Sequence, residues 1–240
     1  MKPGFLLASL LAVSPLAAQL SPTPPDAIVP VVVSVRGPSN ATFRTELQLG
    51  NAGETVKRGW LVLRPQLIAT RYEIAPHATL SFADVAGELG GTGLGSLDIL
   101  VESGGIPVIV ARAFDDQPGG TTGVSVPAVR FGEILGRGDF GALIVPRDLA
   151  RYRFNIGIRA LDSGATLELT LRTPSGQQRH ARDLVFAEHA FVQQIGDAFT
   201  GTTLQPNELL EIRIAAGSAI LYATTVDNAT NDSSIQVLRR

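Results

Sequence analysis

The stretch Phe43-Arg44-Thr45-Glu46-Leu47-Gln48-Leu49 alternates between two kinds of side chain, with Phe and Leu set against Arg, Glu and Gln. A period of two is typical of a strand that buries one face. The same alternation recurs at residues 167–171 and 210–214. Residues that favour turns follow such segments, as at Asn51-Ala52-Gly53 and Pro174-Ser175-Gly176. The sequence therefore predicts an all-β protein.

Two denser apolar runs, residues 28–35 and 106–110, predict more central strands than the alternating segments do. Helical periodicity is scarce along the chain. Only residues 83–89 and 195–199 predict short turns of helix.

The stretch at 43–49 has a second copy, because it lines up with residues 152–158. Five collinear matches indicate an internal duplication. The copies predict two tandem Ig-like β-sandwich units at residues 28–128 and 142–240, joined by a junction at 129–141. One larger sandwich with a shared core is the alternative. Four further segments match in the same order: 77–80 with 189–192, 97–104 with 210–217, 108–111 with 220–223, and 114–116 with 226–228.

The N-terminus has the pattern of a signal peptide over residues 1–18. Lys2 provides a positive start, residues 5–13 form a short apolar segment, and Leu16-Ala17-Ala18 offers a cleavage site. A Pro-rich linker follows at residues 19–27. We therefore expect export to the periplasm, the cell surface or the extracellular space. No later apolar run is long enough to predict a membrane span in the mature chain.

Composition excludes several classes of function. The chain contains no cysteine, so it has neither disulfides nor thiol chemistry. Its formal net charge is −2 and no long charged run is present. This balance argues against binding to nucleic acid or to an anionic membrane surface. We expect no cofactor.

Several short motifs resemble a duplicated β-rich module of secreted bacterial proteins. The resemblance lies in Phe43-Arg44-Thr45 followed by Asn51-Ala52-Gly53, in residues 110–114 and 119–123, and in the closing residues 222–232. Such modules occur alone or beside secreted peptidases and surface domains. The resemblance implies an accessory or adhesive role with a protein or surface partner, and it transfers no catalytic residues.

One motif suggests catalysis, because Asp162-Ser163-Gly164-Ala165-Thr166 resembles the active-site loop of aspartic peptidases. In that chemistry a carboxylate shares a proton with a second carboxylate close by. The segment resembling the second peptidase motif, residues 134–139, precedes the aspartate when it should follow it. The repeat also aligns Asp162-Ser163-Gly164 with Asn51-Ala52-Gly53, which predicts a hairpin turn. We therefore predict no catalytic residue and keep a peptidase using Asp162 as a remote alternative.

Paired acidic and amide side chains end both copies. Asp115 and Asp116 follow a strand in the first copy, and Asp227 and Asn228 follow the matching strand in the second. Oxygen-rich loops of this kind can bind Ca²⁺. Asp and Asn also stabilise turns through their own backbone, which is the competing interpretation. These four residues are weak calcium candidates.

Three functions from different classes follow. The sequence favours a non-catalytic structural or interaction module of the cell envelope or secreted space. A calcium- or glycan-binding module acting through the Asp115 and Asp227 loops is the alternative. An aspartic peptidase using Asp162 is the remote one, and it requires a second carboxylate beside that residue.

Overall fold

The computed structural model describes residues 24–36, 41–117 and 120–240. The predicted signal peptide (1–18) and residues 19–23 of the predicted linker lie outside these ranges. Within them the protein is all-β, with sixteen strands and two short helices. None of the helices in this described part is long and apolar enough to cross a membrane.

The elements of the N-terminal half are followed by one 3-10 turn, Phe131–Glu133. They are β1 (Ala27–Arg36), β2 (Thr42–Gly50), β3 (Lys57–Arg64), β4 (Ile68–Ile74), β5 (Thr79–Phe82), α1 (Val85–Glu88), β6 (Gly93–Ser103), β7 (Val108–Gln117), β8 (Gly120–Ser125) and β9 (Val129–Arg130).

The C-terminal half contains two much longer strands, β12 and β15. Its elements are β10 (Leu135–Gly136), β11 (Phe140–Ile144), β12 (Tyr152–Arg172), β13 (Gln178–Phe186), β14 (Phe191–Ile195), α2 (Gly196–Thr200), β15 (Leu209–Asp227) and β16 (Ser233–Leu238). Both helices coincide with the predicted helical turns, which are thereby confirmed.

The strands form two antiparallel sheets, one from each half. In the first sheet the order is β4-β3-β6-β1-β2-β7-β8, with β5 paired to β2 and β9 to β1. In the second sheet the order is β10-β15-β12-β13, with β11 and β16 paired to β15 and β14 to β12. The chain passes from the first sheet to the second between β9 and β10.

The matched sequence segments pair in matching register. Phe43 lies opposite Asp115 in the first sheet, and Tyr152 lies opposite Asp227 in the second. Further along, Leu63 faces Leu97 as Leu171 faces Leu210. The two halves therefore share one pairing scheme. Their common origin and the proposed domain boundaries stay predictions.

The hairpin turn predicted at Asn51-Ala52-Gly53 is wrong. The strands on its two sides, β2 and β3, pair with different partners, so the segment is a corner between two strand pairs. In the second half the aligned segment, residues 162–164, lies inside the continuous strand β12. The pairing with β15 skips there from Ala160 to Ala165. A β-bulge of this kind bends a strand without ending it.

The burial of the two dense apolar runs differs. The first run forms β1, which lies between β6 and β2, as predicted, and is buried from Ala27 to Val33. The second run falls at the start of β7, where Val108 and Val110 are 59% and 52% exposed. β7 lies between β2 and β8, as predicted for a more central strand, but nothing within the described residues covers its outer face there.

Each sheet has an apolar core of its own, and a third apolar cluster joins them. Aliphatic side chains of β12 and β15 dominate the core of the second sheet. The core of the first sheet is drawn from residues 27–126, together with Tyr222 from β15 of the other sheet. The joining cluster consists of Ile28, Val129, Ile134, Leu161 and Ile220. The two sheets are therefore packed firmly against each other.

Candidate functional site

A cleft of about 430 Å³ lies between the two sheets. The first sheet contributes β1, β2, β6, β7 and β8 to its walls, and the second contributes β12, β14, β15 and β16. Small-molecule sites in proteins commonly measure about 300–1,000 Å³. In both its size and its position between two packed bodies, the cleft resembles a binding site.

The walls of the cleft are mainly apolar, and β1 shows why. Its period of two places Val31, Val33 and Val35 on the same face of the strand. Val31 and Val33 are almost fully buried, whereas Val35 is 41% exposed. The face therefore runs from the packed interior to an open mouth beside Arg36. Further apolar walls come from Phe43, Leu94, Ala113, Phe114, Val124 and Val226.

A chain of hydrogen bonds crosses the cleft from one sheet to the other. Arg153 donates to Asn228 Oδ1 at 3.3 Å and to Asn231 Oδ1 at 2.9 Å. Asn231 Nδ2 in turn donates to Asp115 Oδ2 at 3.1 Å. Asp115 and Asp116 lie inside β7 and not after a strand as predicted, whereas Asp227 is the last residue of β15 and Asn228 follows it. The end of β7 and the loop after β15 therefore meet at this point.

The first pair of calcium candidates is occupied by protein donors. Asp115 accepts from the backbone N–H of Thr42 at 3.0 Å and from Gln117 Nε2 at 2.9 Å, in addition to Asn231. Asp116 points elsewhere and forms an ion pair with Arg44 at 3.1 Å. The two neighbouring carboxylates therefore do not converge on one point.

In the second pair, Asp227 accepts from Arg151 Nε at 2.8 Å and from the backbone N–H groups of Ala229 and Thr230. The guanidinium of Arg151, and then these backbone donors, hold the pKa of Asp227 below its usual range. Asn228 accepts from Arg153. Across the described ranges, no group of three or more His, Cys, Asp or Glu side chains could hold a metal ion. Calcium binding stays a prediction.

The cleft has an excess of positive charge. Its lining includes Arg36, Arg153 and one acid, Asp115. Neither arginine forms an ion pair within the described residues, which include every Asp and Glu of the chain. The Asp115 side chain is buried and bonded to neutral donors. Arg153 is held by neutral amide oxygens, so its charge has no carboxylate in contact.

A second polar cluster joins the sheets away from the cleft. Asp98 Oδ2 accepts from Arg159 Nη2 of the second sheet at 2.8 Å and from Arg64 Nε of its own sheet at 2.9 Å. The side chains of Arg159 and Asp98 are only 0% and 2% exposed. A buried charge is tolerated only with a partner, so this contact ties the two sheets to each other.

Asp162, the residue that suggested a peptidase, lies beside a histidine. His189 Nδ1 lies 3.3 Å from Asp162 Oδ1, and both side chains are partly exposed. His189 has a φ of 56° and its aligned counterpart His77 has a φ of 59°. Burial lowers the pKa of His189, and the charge of Arg64 lowers it further while Asp162 acts in the opposite direction. The two histidines thus share a backbone conformation, as their alignment predicts.

Sequence reasoning missed the residues that connect the sheets. Asp98 lies between Leu97 and Ile99, and Arg159 follows Ile158 and precedes Ala160. A charged residue within an apolar run was the available signal, because such residues are rarely buried without a partner. Arg153 gave no comparable signal, since exposed strands commonly contain arginine.

Comparison with known proteins adds no assignment. No protein-family model matches the sequence, and no curated protein matches it significantly. The functional argument therefore rests on the geometry of the molecule itself.

Proposed function

We propose that this protein is an exported, non-catalytic interaction module whose cleft between the two sheets binds an apolar group of its partner molecule. The observation that supports this proposal is the cleft, whose apolar side chains come mainly from the first sheet, with Val226 added by the second. Water leaves such surfaces at a gain in free energy when a complementary apolar group enters. The contacts between the sheets, which are the ion pair of Asp98 with Arg159 and the apolar cluster around Ile220, hold the two walls of the cleft together.

The export part of the proposal is supported by the pattern at residues 1–18. It is tested by expressing the complete chain in a bacterium with an export machinery, fractionating the cells and sequencing the N-terminus of the product. We expect the exported protein to begin near Gln19. A product that stays in the cytoplasm with Met1 intact would contradict this part alone.

The binding part is tested with a neutral apolar fluorophore, N-phenyl-1-naphthylamine, titrated into the purified protein. Val35→Trp places a large ring at the mouth of the cleft, where Val35 is already 41% exposed and a larger side chain can be accommodated. We expect saturable binding to the unmodified protein and a loss of at least about tenfold in affinity, or about 1.4 kcal/mol, in the variant.

The matched control is Val185→Trp, because Val185 is 79% exposed on β13 and does not line the cleft. This variant should bind the fluorophore as the unmodified protein does. Equal binding by both tryptophan variants would show that the cleft is not the binding surface.

A further inference from the structure

We propose that the ligand of the cleft is a small amphiphile with an apolar body and a single anionic head group, which the guanidinium groups of Arg153 and Arg36 recognise. This inference rests on the proposed function, because it specifies the chemistry of the molecule that the cleft binds.

The apolar body is matched by the inner walls. Val31 and Val33 of β1 line a space of about 430 Å³, to which β15 adds one apolar side chain, Val226. A space of this size accommodates one small molecule. An apolar chain lying there would cover side chains of both sheets at once.

The anionic head group is matched by the charge at the rim. Arg153 donates from Nη1 and Nη2 to the neutral oxygens of Asn228 and Asn231, which orient its guanidinium. A guanidinium has five N–H donors, so about three remain for a ligand. A carboxylate or similar group can accept two of these together, which gives both strength and direction. Arg36 adds a second positive charge to the lining of the cleft.

A peptide that adds a strand to a sheet fits the cleft less well than a small molecule, because the two nearest sheet edges lie against each other. Strand addition needs a free edge. β8 is the last strand in the order of the first sheet, and among the described strands β16 pairs with β15 alone. The Thr122 hydroxyl from β8 donates to the Thr230 carbonyl just before β16, at 3.3 Å. The geometry therefore favours a compact ligand over an extended chain.

The test is displacement of N-phenyl-1-naphthylamine by three ten-carbon compounds, each used below the concentration at which it forms micelles. Decanoate has an anionic head group, 1-decanol a neutral one and decyltrimethylammonium a cationic one. We expect decanoate to displace the fluorophore at the lowest concentration, at least about tenfold below decyltrimethylammonium, and its advantage to shrink in high salt. Displacement without a preference among head groups would overturn the inference.

Arg153→Gln and Arg153→Lys locate the head group. The glutamine variant should lose several-fold in affinity for decanoate and retain its affinity for 1-decanol, whereas the lysine variant should recover part of the loss. Arg147→Gln is the control, because Arg147 is exposed and lies outside the cleft. This substitution changes the net charge by the same amount as Arg153→Gln. An equal loss for decanoate and 1-decanol would mean that Arg153 only supports the structure, and would overturn its assignment.

The two proposals fail in different ways. If the unmodified protein does not bind the fluorophore or any ten-carbon compound, the proposed function fails. If it binds them all without regard to charge, the proposed function stands and only the ligand class is wrong.

Discussion

The two halves of the protein contain the same ion pair at the same position, but only one copy is buried. In the first sheet Arg64 Nε contacts Asp98 Oδ2 at 2.9 Å, and in the second Arg172 Nε contacts Glu211 Oε2 at 2.7 Å. The register of the strands places these pairs equivalently. The Asp98 side chain is 2% exposed, whereas that of Glu211 is 21% exposed.

The difference comes from the other sheet and not from the local strands. Arg159 of β12 reaches Asp98 and completes a buried group of three charges. At the position in the first half that corresponds to Arg159 lies Gly50, which cannot provide such a group to Glu211. The matching strands thus have an ion pair at the same position in both halves. In the first half this pair is part of a contact between the sheets, and in the second half it is partly exposed.

The largest expected effect follows from breaking the buried copy. Asp98→Asn leaves Arg159 and Arg64 facing a neutral group, and losing one partner of a buried ion pair costs about 3–5 kcal/mol. Glu211→Gln, the matched change in the other half, should cost at most about 1 kcal/mol because that pair is partly exposed. Urea-induced unfolding of both variants gives the free energies of unfolding. Similar losses in the two would show that Arg159 adds nothing to the first pair.

A second contrast concerns two glycines in strands. A Cβ added at Gly157 would overlap the buried ring of Tyr222, whereas at Gly50 it would lie 3.5 Å from Val108 Cβ, an ordinary contact. We expect Gly157→Ala to destabilise the protein by about 1–3 kcal/mol through overpacking. Gly50→Ala should be neutral or stabilising, by up to about 1 kcal/mol, because Gly50 has no positive φ and alanine restricts the unfolded chain.

Thermal or urea unfolding measures both glycine variants. A Gly157→Ala variant as stable as the unmodified protein would mean that the Tyr222 ring can move without loss, and would remove its role as a link between the sheets.

A smaller effect should separate the two aligned histidines. The pKa of His189 is lowered in the fold, chiefly by burial and by Arg64, with Arg159 lowering it and Asp162 and Asp98 raising it. The unfolded chain, where a histidine has a pKa of about 6.5, therefore binds more protons as the pH falls. The stabilisation due to neutral His189 is fully present above the pKa of the unfolded chain. It is lost as the pH falls from there towards the lowered pKa of the folded protein.

We expect His189→Asn to reduce the loss of stability between about pH 7.5 and pH 5, as measured by urea unfolding at several pH values. Asparagine tolerates the positive φ at this position. His77→Asn, with the same backbone conformation, measures the cost of the substitution itself at high pH. An unchanged pH profile in His189→Asn would contradict the predicted role of His189.

The smallest effect is expected from the aligned aspartates Asp115 and Asp227. Asp227 is paired with Arg151, and this contact with the backbone donors beside it lowers its pKa, whereas Asp115 at the aligned position contacts neutral donors. The contribution of Asp227 is present above the unfolded pKa of about 3.9 and is lost as the pH falls through the lowered pKa.

Asp227→Asn should therefore flatten the acid side of the stability profile below about pH 4, measured as the unfolding midpoint against pH. Arg151→Gln should flatten it in the same direction, because it removes the other partner. If neither change alters the acid side, the contact between Arg151 and Asp227 does not contribute to stability.

Much of the fold was accessible from local patterns. The strand at 43–49 and the two short helices were predicted from patterns of neighbouring residues. The segments that match between the halves pair in the same register in the two sheets. The corner at Asn51 was mistaken for a hairpin because Asn and Gly favour both. The exposure of Val108 and Val110 was missed because an apolar run does not show what covers it.

The cleft was less accessible. Asp115 and Asn228 were noticed for their oxygen atoms, but the contacts that connect them, through Asn231 and Arg153, join segments that are far apart in sequence. The buried pair of Asp98 and Arg159 joins residues that are 61 positions apart. Neither contact leaves a periodic signal.

The sequence by itself determined that the chain forms antiparallel strands, where many of them lie, and which segments of the two halves correspond. These properties follow from side-chain periodicity and turn chemistry, which act over a few residues. Only the tertiary structure decided which charges are buried and where a cleft opens. Burial depends on which surface of one sheet covers the other, and this is set by the packing of Ile28, Val129, Leu161 and Ile220 between them.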